Sequence, residues 1–508
     1  MIVHRFSSSV LAILGGFCLS LTLACRAENA PAAAAPAPTT ASDAPAMPLK
    51  ECIIRALKQN FDVQIQSYTL ASAQDALEIA KSTFDPTISL SAERNFSQTT
   101  NTNNRLSGAV NPVSDSGSYR LSISQPVSSG GTVSLGSNLS RSSSNSTYYT
   151  FNPAYSGAVS LSVTQPLLKN FGRQIALANI ETSEIGVARA SLDFKAQVLN
   201  VVQSTETAYY NYLFAREQEH VMQQSLGLAT QVYEENKTKR TVGTATDIDI
   251  LTAEVGVANA RRQLLLAQQQ TRNSADSLLA LIGQFELDQP IGATPFDDYI
   301  GPVPTIDAVY ARAIANQPDY LSTKAAIDQT KISLRLAQDA KRPELDLTGS
   351  LSSNGIDSTA GNAYQDIPRG DSYSWAMGLT LSFPWGFHGD SARYRQALAA
   401  LRQQELVLRQ LEQNVLVQVR ASVRAVETNL ENVKIAALAT RLSEKNYDLE
   451  KARFDAGLTT ARLLQQARDD LDSARVNELQ SRVNLRHAII SLNRLQGTSL
   501  DTYGIALP

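Results

Sequence analysis

The chain has 508 residues, with 45 Lys and Arg against 48 Asp and Glu, and a formal net charge of -3. This balance, without a long Lys/Arg run, argues against a nucleic-acid partner. Three cysteines and four scattered histidines give no disulfide framework or Cys-rich zinc site, and we expect the histidines to be solvated surface residues. No nucleophile–base pairing, metal-ligand spacing or phosphate loop indicates an enzyme or a cofactor.

The first residues have the pattern of a secretory signal peptide, predicted over residues 1–27. His4 and Arg5 precede an apolar run at 10–24 that is too short to span a bilayer. Two kinds of processing fit: cleavage after Ala27, or lipidation of Cys25. Residues 28–48 are mostly Ala, Pro, Ser and Thr, a composition that predicts an extended tether.

The next segments predict a helix followed by strands. Apolar residues at helical spacing indicate a helix over 49–86, and Pro86 closes it. Alternation of apolar with small polar residues then predicts barrel strands within 87–168. The clearest alternating segments are 87–92, 119–124, 132–136 and 157–163.

A short internal repeat explains why this strand region is long. Residues 121–127 read LSISQPV, and residues 161–167 read LSVTQPL. We interpret this as a duplicated hairpin, which gives four strand segments here against two in the second half. The sequence leaves open whether the additional pair, around 119–140, joins a barrel wall or projects beyond it.

Two long helical hairpins are predicted. The first covers 169–283 with a tip near 242–247, and a linker at 284–304 follows. The second half repeats the order, with a helix at 305–343, strands at 344–386, a helical hairpin at 387–497 with a tip near 456–461, and a C-terminal tail at 498–508. Within the hairpins, the proline-free runs at 173–240 and 391–455 each extend roughly 100 Å if each is a single helix.

Heptad spacing in the second hairpin predicts coiled-coil packing. The seam positions are Leu401, Leu408, Leu411, Val415, Ser422, Val426 and Val433. Helices alone would also fit a soluble four-helix bundle, and strands alone would fit a periplasmic sandwich. The secretory signal together with such long helices favours a membrane barrel.

The two halves of the chain also resemble each other without gaps. Residues 49–93 align with 306–350 at an offset of 257, and residues 233–283 align with 447–497 at an offset of 214. We interpret this as an internal duplication, which suits a tube or ring better than a single reaction centre.

Each hairpin tip contains Gly and Thr: Val242-Gly243-Thr244-Ala245-Thr246 and Ala456-Gly457-Leu458-Thr459-Thr460. Gly permits the left-handed conformation that ends a helix, and a following Thr can accept hydrogen bonds from the first amides of the next helix. Helix termination alone explains these residues, so a binding role needs a further argument.

Taken together, these features resemble the TolC family of outer-membrane efflux channels. The resemblance covers about 48–497 and is carried by the opening pattern at 49–60 with its second copy, the junction QPLLKNFG at 165–172, and the two Gly/Thr tips. It implies a mainly helical protein with transmembrane strands, in which a homotrimer closes one outer-membrane β-barrel that continues as a periplasmic α-helical barrel. Its implied partners are outer-membrane lipid, a periplasmic adaptor and an inner-membrane pump.

The resemblance also implies sites. The tips would dock the adaptor through Gly243, Thr244, Thr246, Gly457, Leu458, Thr459 and Thr460. Acidic residues often line the family's periplasmic mouth beyond the second tip, where this chain has Arg462. Asp247 and Asp249 follow the first tip instead, and they suit either a gate or a helix N-terminus.

Three functions remain open at this stage: a drug or metal efflux channel, a protein-secretion duct, and a periplasmic adaptor. Adaptors are expected to have one helical hairpin between sheet domains, whereas this chain has two hairpins around strands.

Overall fold

The computed structural model describes residues 47–100, 109–243, 245–283, 303–369 and 372–505. The predicted signal peptide and Cys25 lie outside the described residues, as does the predicted tether except for residues 47–48. Of the predicted linker at 284–304, only residues 303–304 are described. Within them, the chain is mainly helical with one sheet, which confirms the coarse fold prediction.

The first half begins with two short helices and ends with a long helical hairpin. Its elements are α1 (Leu49–Gln59), α2 (Phe61–Lys81), β1 (Thr87–Gln98), β2 (Val113–Pro126), β3 (Thr132–Ser144), β4 (Ala154–Pro166), α3 (Arg173–Ala176), α4 (Ala178–Thr241) and α5 (Asp247–Leu281).

The second half follows the same order with fewer strands. Its elements are α6 (Ile306–Asn316), α7 (Pro318–Asp339), β5 (Glu344–Asp357), α8 (Ala360–Gln365), β6 (Tyr373–Ser382), α9 (His388–Asp455), α10 (Ala461–Gln496) and α11 (Ser499–Tyr503). The predicted C-terminal tail therefore contains a short helix.

The two long helices set the dimensions of the molecule. Helix α4 has 64 residues and α9 has 68, and each runs without an internal proline. At 1.5 Å per residue both approach roughly 100 Å, far beyond an ordinary globular helix. Each packs along its successor, α5 or α10, to form an antiparallel hairpin.

Two apolar cores hold the short helices against the long ones. In the first, Ile53 of α1 lies with Val202 of α4 and Leu279 of α5. In the second, Val309 of α6 lies with Val419 of α9, among Val415, Val423 and Val426. The predicted seam position Val426 is therefore a core residue.

One histidine departs from the expectation of a solvated surface position. His487, on α10, is half-buried, and this burial lowers the pKa of its imidazole. His220 and His388 are exposed as predicted.

The strands form one antiparallel sheet in sequence order, β1-β2-β3-β4-β5-β6. The strands of the duplicated hairpin, which the sequence could not place, lie in the interior of this sheet between β1 and β4. Strands β1 and β6 form its two edges, and all of their residues are exposed.

None of the helices in the described residues is both long and apolar enough to cross a bilayer.

Candidate functional site: the hairpin tips and the faces of the sheet

The first tip is a tight turn between α4 and α5. Gly243 has a φ of +80°, the left-handed conformation predicted for it, and apart from its chain neighbours no described residue lies within 4 Å of where a Cβ would be. Thr246 then caps α5: its Oγ1 accepts from the Asp249 amide at 3.3 Å, and its own amide donates to Asp249 Oδ2 at 2.9 Å. This reciprocal capping box satisfies amides that a helix start leaves free. Thr244 lies outside the described residues.

The second tip closes differently. Gly457 has a φ of +73°, and the Leu458 amide donates to the Arg453 carbonyl at 2.8 Å, which ends α9. Thr460 is the N-cap of α10, but its side chain accepts no hydrogen bond from the helix. The prediction of a Thr cap was therefore correct at the first tip and wrong for Thr460 at the second. The second tip has Leu463 where the first has Asp249, so no carboxylate is present to complete a capping box.

The two tips lie side by side. Lys239, near the end of α4, places its Nζ 3.9 Å from the ring centroid of Phe454, near the end of α9. Below them, Leu228 and Val232 of α4 pack on a cluster from the second hairpin that includes Tyr447, Leu464 and Leu471. One end of the molecule thus carries both turns.

The charged residues at the first tip are held by local contacts. Asp247 is paired with Arg240, and Asp249 belongs to the capping box. The hydrogen bond and charge of Arg240 lower the pKa of Asp247, and hydrogen bonds from Thr246 lower the pKa of Asp249, so both carboxylates are ionised at neutral pH. Arg462, in the first turn of α10, is exposed.

Sequence reasoning missed the apolar surface at this end. Val242 and Leu458, one in each tip, are 71% and 72% exposed. An exposed stripe on α5 consists of Ile248, Leu251, Val255 and Leu265, and one on α9 consists of Ile435, Leu438, Leu442 and Leu449. The steps of three, four and seven along α9 are a heptad signal that could have been found in the sequence as a second stripe, in a different register from the predicted seam.

At the other end of the molecule, the sheet has two chemically different faces. The strand register aligns one row of large apolar residues across all six strands: Ile88, Ile123, Leu135, Leu161, Leu351 and Trp375. The adjacent row, which points to the opposite face, is Ser89, Ser122, Gly136, Ser160, Ser352 and Ser374. All six members of the apolar row are exposed in the single chain.

A small helix covers part of the apolar face. Helix α8, between β5 and β6, brings the Ala363 carbonyl oxygen over Gly157 and Gly355, where a Cβ would lie only 3.3 and 2.1 Å from it. The Tyr364 hydroxyl lies 2.9 Å from Ser137 Oγ on β3. Glycine at these positions makes the close approach of α8 to the sheet feasible.

Comparisons with known proteins agree with this geometry. The family model "Outer membrane efflux protein" matches residues 132–284 and 309–498, which together are more than half of the chain. A sheet at one end and two long helical hairpins at the other define an efflux-channel class of fold. The chain belongs to the outer membrane efflux protein family.

Two curated relatives match over part of their length. The chain is 26% identical over 331 residues to the pyoverdine export outer membrane protein OpmQ of Pseudomonas aeruginosa, a match that covers 63% of this chain and 66% of OpmQ. It is 22% identical over 319 residues to the outer membrane protein TolC of Escherichia coli, covering 58% of this chain and 62% of TolC. The matches therefore span just under two thirds of these relatives.

Solved structures share the fold. The Campylobacter jejuni CmeC outer membrane channel superposes with a TM-score of 0.67 at 17% identity, covering 89% of this chain and 86% of CmeC. The open state of the Neisseria gonorrhoeae MtrE outer membrane channel gives 0.64 at 17% identity, covering 89% of each chain.

Proposed function

We propose that this protein is the outer-membrane channel of a tripartite efflux or type I secretion system, conducting substrates passively from an inner-membrane pump and a periplasmic adaptor. The observation that carries the proposal is the two-faced sheet. A face of large apolar residues opposite a face of serines suits a barrel wall between lipid and a wet lumen. The matching family model is named for outer membrane efflux proteins, and the superposed CmeC and MtrE structures are named as outer membrane channels.

The functional assembly in this proposal is a homotrimer with a helical tunnel below the barrel. The exposed stripe on α5 begins five residues from Gly243 and ends 22 residues from it. The stripe on α9 lies between eight and 22 residues from Gly457. The stripes therefore occupy the same level below adjacent tips, on helices that run in opposite directions.

Pairing of the α5 stripe of one copy with the α9 stripe of the next buries both. Because the two surfaces differ, this contact is heterologous, and repetition of it closes into a ring when the rotation allows. The family resemblance implies three copies in the ring.

We interpret the repeated architecture as an internal duplication. Helices α1 and α6 begin 257 residues apart, and helices α5 and α10 begin 214 residues apart, which are the two offsets found in the sequence. Duplication followed by trimer formation arranges six related units around one axis, as a tube requires.

The tips are the proposed adaptor-docking surface and periplasmic mouth. Gly243, Thr244 and Thr246 of the first tip and Gly457, Leu458, Thr459 and Thr460 of the second provide the docking surface. Exposed Val242 and Leu458 support this role, since they give each tip an apolar contact for an adaptor's helices. Asp247, Asp249 and Arg462 are the proposed charged residues of the mouth.

Fractionation and conductance test the function. The mature protein should float with outer membrane, require detergent for extraction, and give discrete channels in planar bilayers. A compact monomer that stays in solution without detergent would overturn the proposal. Release from the membrane at high pH without detergent would favour the adaptor function instead.

A further inference from the structure

We infer that the duplicated hairpin is part of the barrel wall, so that each copy contributes six strands and the trimer closes a barrel of eighteen. This inference rests on the proposed function and concerns the width of its outlet. Strands β2 and β3 lie inside the sheet and are hydrogen-bonded on both sides within the described part of the chain.

The hairpin carries the same two faces as its neighbours. Ile123 and Leu135 are its members of the apolar row, and Ser122 and Gly136 are its members of the polar row. A hairpin that projected into water would have no reason to continue an apolar row in register. A hairpin inside the lumen would place Ile123 and Leu135 in water.

An ion-paired cluster ties the hairpin to β1 at the end of the strands distant from the helices. Asp115 of β2 accepts from Arg94 of β1, with Nε–Oδ1 and Nη2–Oδ2 distances of 3.0 Å each. It also accepts from Arg141 of β3, with an Nη1–Oδ2 distance of 3.1 Å. The cluster lies beyond the apolar row, where the strands would leave the hydrocarbon layer.

The open edges require closure by other copies. The outer backbone groups of β1 and β6 are unpaired within the described chain, and in lipid such groups must be satisfied. Pairing of β6 with β1 of the next copy satisfies both edges. Six strands from each of three copies then make eighteen.

The strand number sets the width of the outlet. With strands about 4.8 Å apart and tilted by about 40°, eighteen strands give a backbone diameter of roughly 36 Å, against roughly 24 Å for twelve. The inward face carries mainly Ser, Thr, Gly and Asn, side chains too small to fill this space. The outlet therefore admits bulkier hydrophilic solutes than a barrel without the second hairpin.

Lipid contact of the hairpin is tested with tryptophan fluorescence in vesicles of acyl-brominated phosphatidylcholine, which quenches only side chains that touch lipid. The chain has two tryptophans, Trp375 and Trp385. In a Trp385→Phe background, Trp375 of the β6 apolar face serves as the reference. In a Trp375→Phe/Trp385→Phe background, Leu135→Trp reports the apolar face of β3, and Ser134→Trp is the matched control on the opposite face.

We expect loss of more than half of the emission for Trp375 and Leu135→Trp, and little loss for Ser134→Trp. Quenching of Trp375 without quenching of Leu135→Trp would overturn the eighteen-stranded barrel and leave the channel function intact. Quenching at both Leu135→Trp and Ser134→Trp would also overturn it. An unquenched Trp375 would instead contradict the proposed function.

Outlet width is tested by deleting residues 121–160, which joins Arg120 to Leu161 and replaces Leu121 with its repeat equivalent. The spliced strand keeps the pairing of β2 with β1 and of β4 with β5, so each copy has four strands. Polymer exclusion measured from the barrel side of single channels should show about a twofold smaller outlet cross-section than in the full chain. An unchanged or larger cut-off in an assembled deletion variant would overturn the inference. If that variant fails to assemble, the tryptophan series still decides.

Discussion

Arg240 and Asp247 form two parallel hydrogen bonds across the first hairpin tip, with an Nε–Oδ1 distance of 2.7 Å and an Nη2–Oδ2 distance of 3.2 Å. They join the last turn of α4 to the first residue of α5. Both side chains are well exposed, so the pair adds little to the stability of the fold. Its consequence is electrostatic, because the charge of Asp247 is balanced at the proposed mouth of the tunnel.

This charge balance predicts that neutralising Asp247 and neutralising Arg240 change the ion selectivity of the channel in opposite directions. Asp247→Asn leaves the Arg240 cation unpaired, so we expect a shift toward anions, whereas Arg240→Gln leaves the carboxylate unpaired and shifts selectivity toward cations. Reversal potentials of single channels in asymmetric KCl measure both. Asp62→Asn, a similar exposed acid in the first turn of α2, is the control. If neither tip variant differs from it, the gate role of Asp247 is excluded.

A side chain at either tip glycine is expected to strain the backbone. Gly243→Ala and Gly457→Ala place a Cβ in the left-handed region, at a cost of about 1–2 kcal/mol each, with no clash with neighbouring atoms. The strain should alter the tips while leaving the trimer assembled, so affinity for the adaptor falls and detergent-resistant assembly does not.

Gly227→Ala is the matched control, since Gly227 is exposed inside helix α4 and has open space around it. There alanine should stabilise the helix by about 0.5–1 kcal/mol. Adaptor affinity measured by surface plasmon resonance should be unchanged for this variant. Wild-type affinity in both tip variants would argue against docking through the turns.

The exposed stripes are expected to hold the copies together. Leu442→Asp on α9 or Leu251→Asp on α5 would bury an unpaired carboxylate in the proposed interface and weaken assembly by roughly 2–5 kcal/mol. Mass photometry in detergent should show fewer trimers. Asn446→Asp, one turn from Leu442 on the same helix face, adds the same charge without removing an apolar side chain and should have a smaller effect. Equal effects of Leu442→Asp and Asn446→Asp would contradict this interface.

A buried carboxyl predicts a pH-dependent stability. Glu206 lies inside α4 and accepts a hydrogen bond from the Tyr503 hydroxyl of α11; burial raises its pKa to about 7, and the bond from Tyr503 opposes this rise. Since the folded pKa lies above the unfolded value, the stabilising effect of the neutral form is complete below about pH 4.5 and is lost as pH rises through about 7.

Relative to Glu206→Gln, the wild type should therefore lose up to about 3 kcal/mol between pH 4 and pH 8. Thermal unfolding of both proteins in detergent across this range measures the difference. Subtracting the two curves removes the contribution of other groups, such as His487. The exposed Glu405→Gln serves as the control and should follow the wild type; a constant difference between wild type and Glu206→Gln would refute the assignment.

Much of this architecture follows from local sequence signals. Residues 178–241 and 388–455 contain no proline, and their apolar residues recur at helical spacing, so their backbone hydrogen bonds form within each segment. Gly243 and Gly457 end these helices because glycine enters the left-handed region without a Cβ penalty. Period-two alternation marked each strand, since neighbouring side chains point to opposite faces.

Only the tertiary structure decided which residues distant in the chain are in contact. The repeat at 121–127 and 161–167 showed that a hairpin was duplicated, but only the pairing of β1 with β2 and of β3 with β4 places it inside the sheet. Likewise, the heptad stripe on α9 could equally have faced α10, the other helix of its hairpin. In the structure Leu442 of this stripe is exposed, whereas Val419, elsewhere on α9, is buried. Local periodicity fixes which residues share a face, whereas the neighbour of that face is chosen by non-local packing.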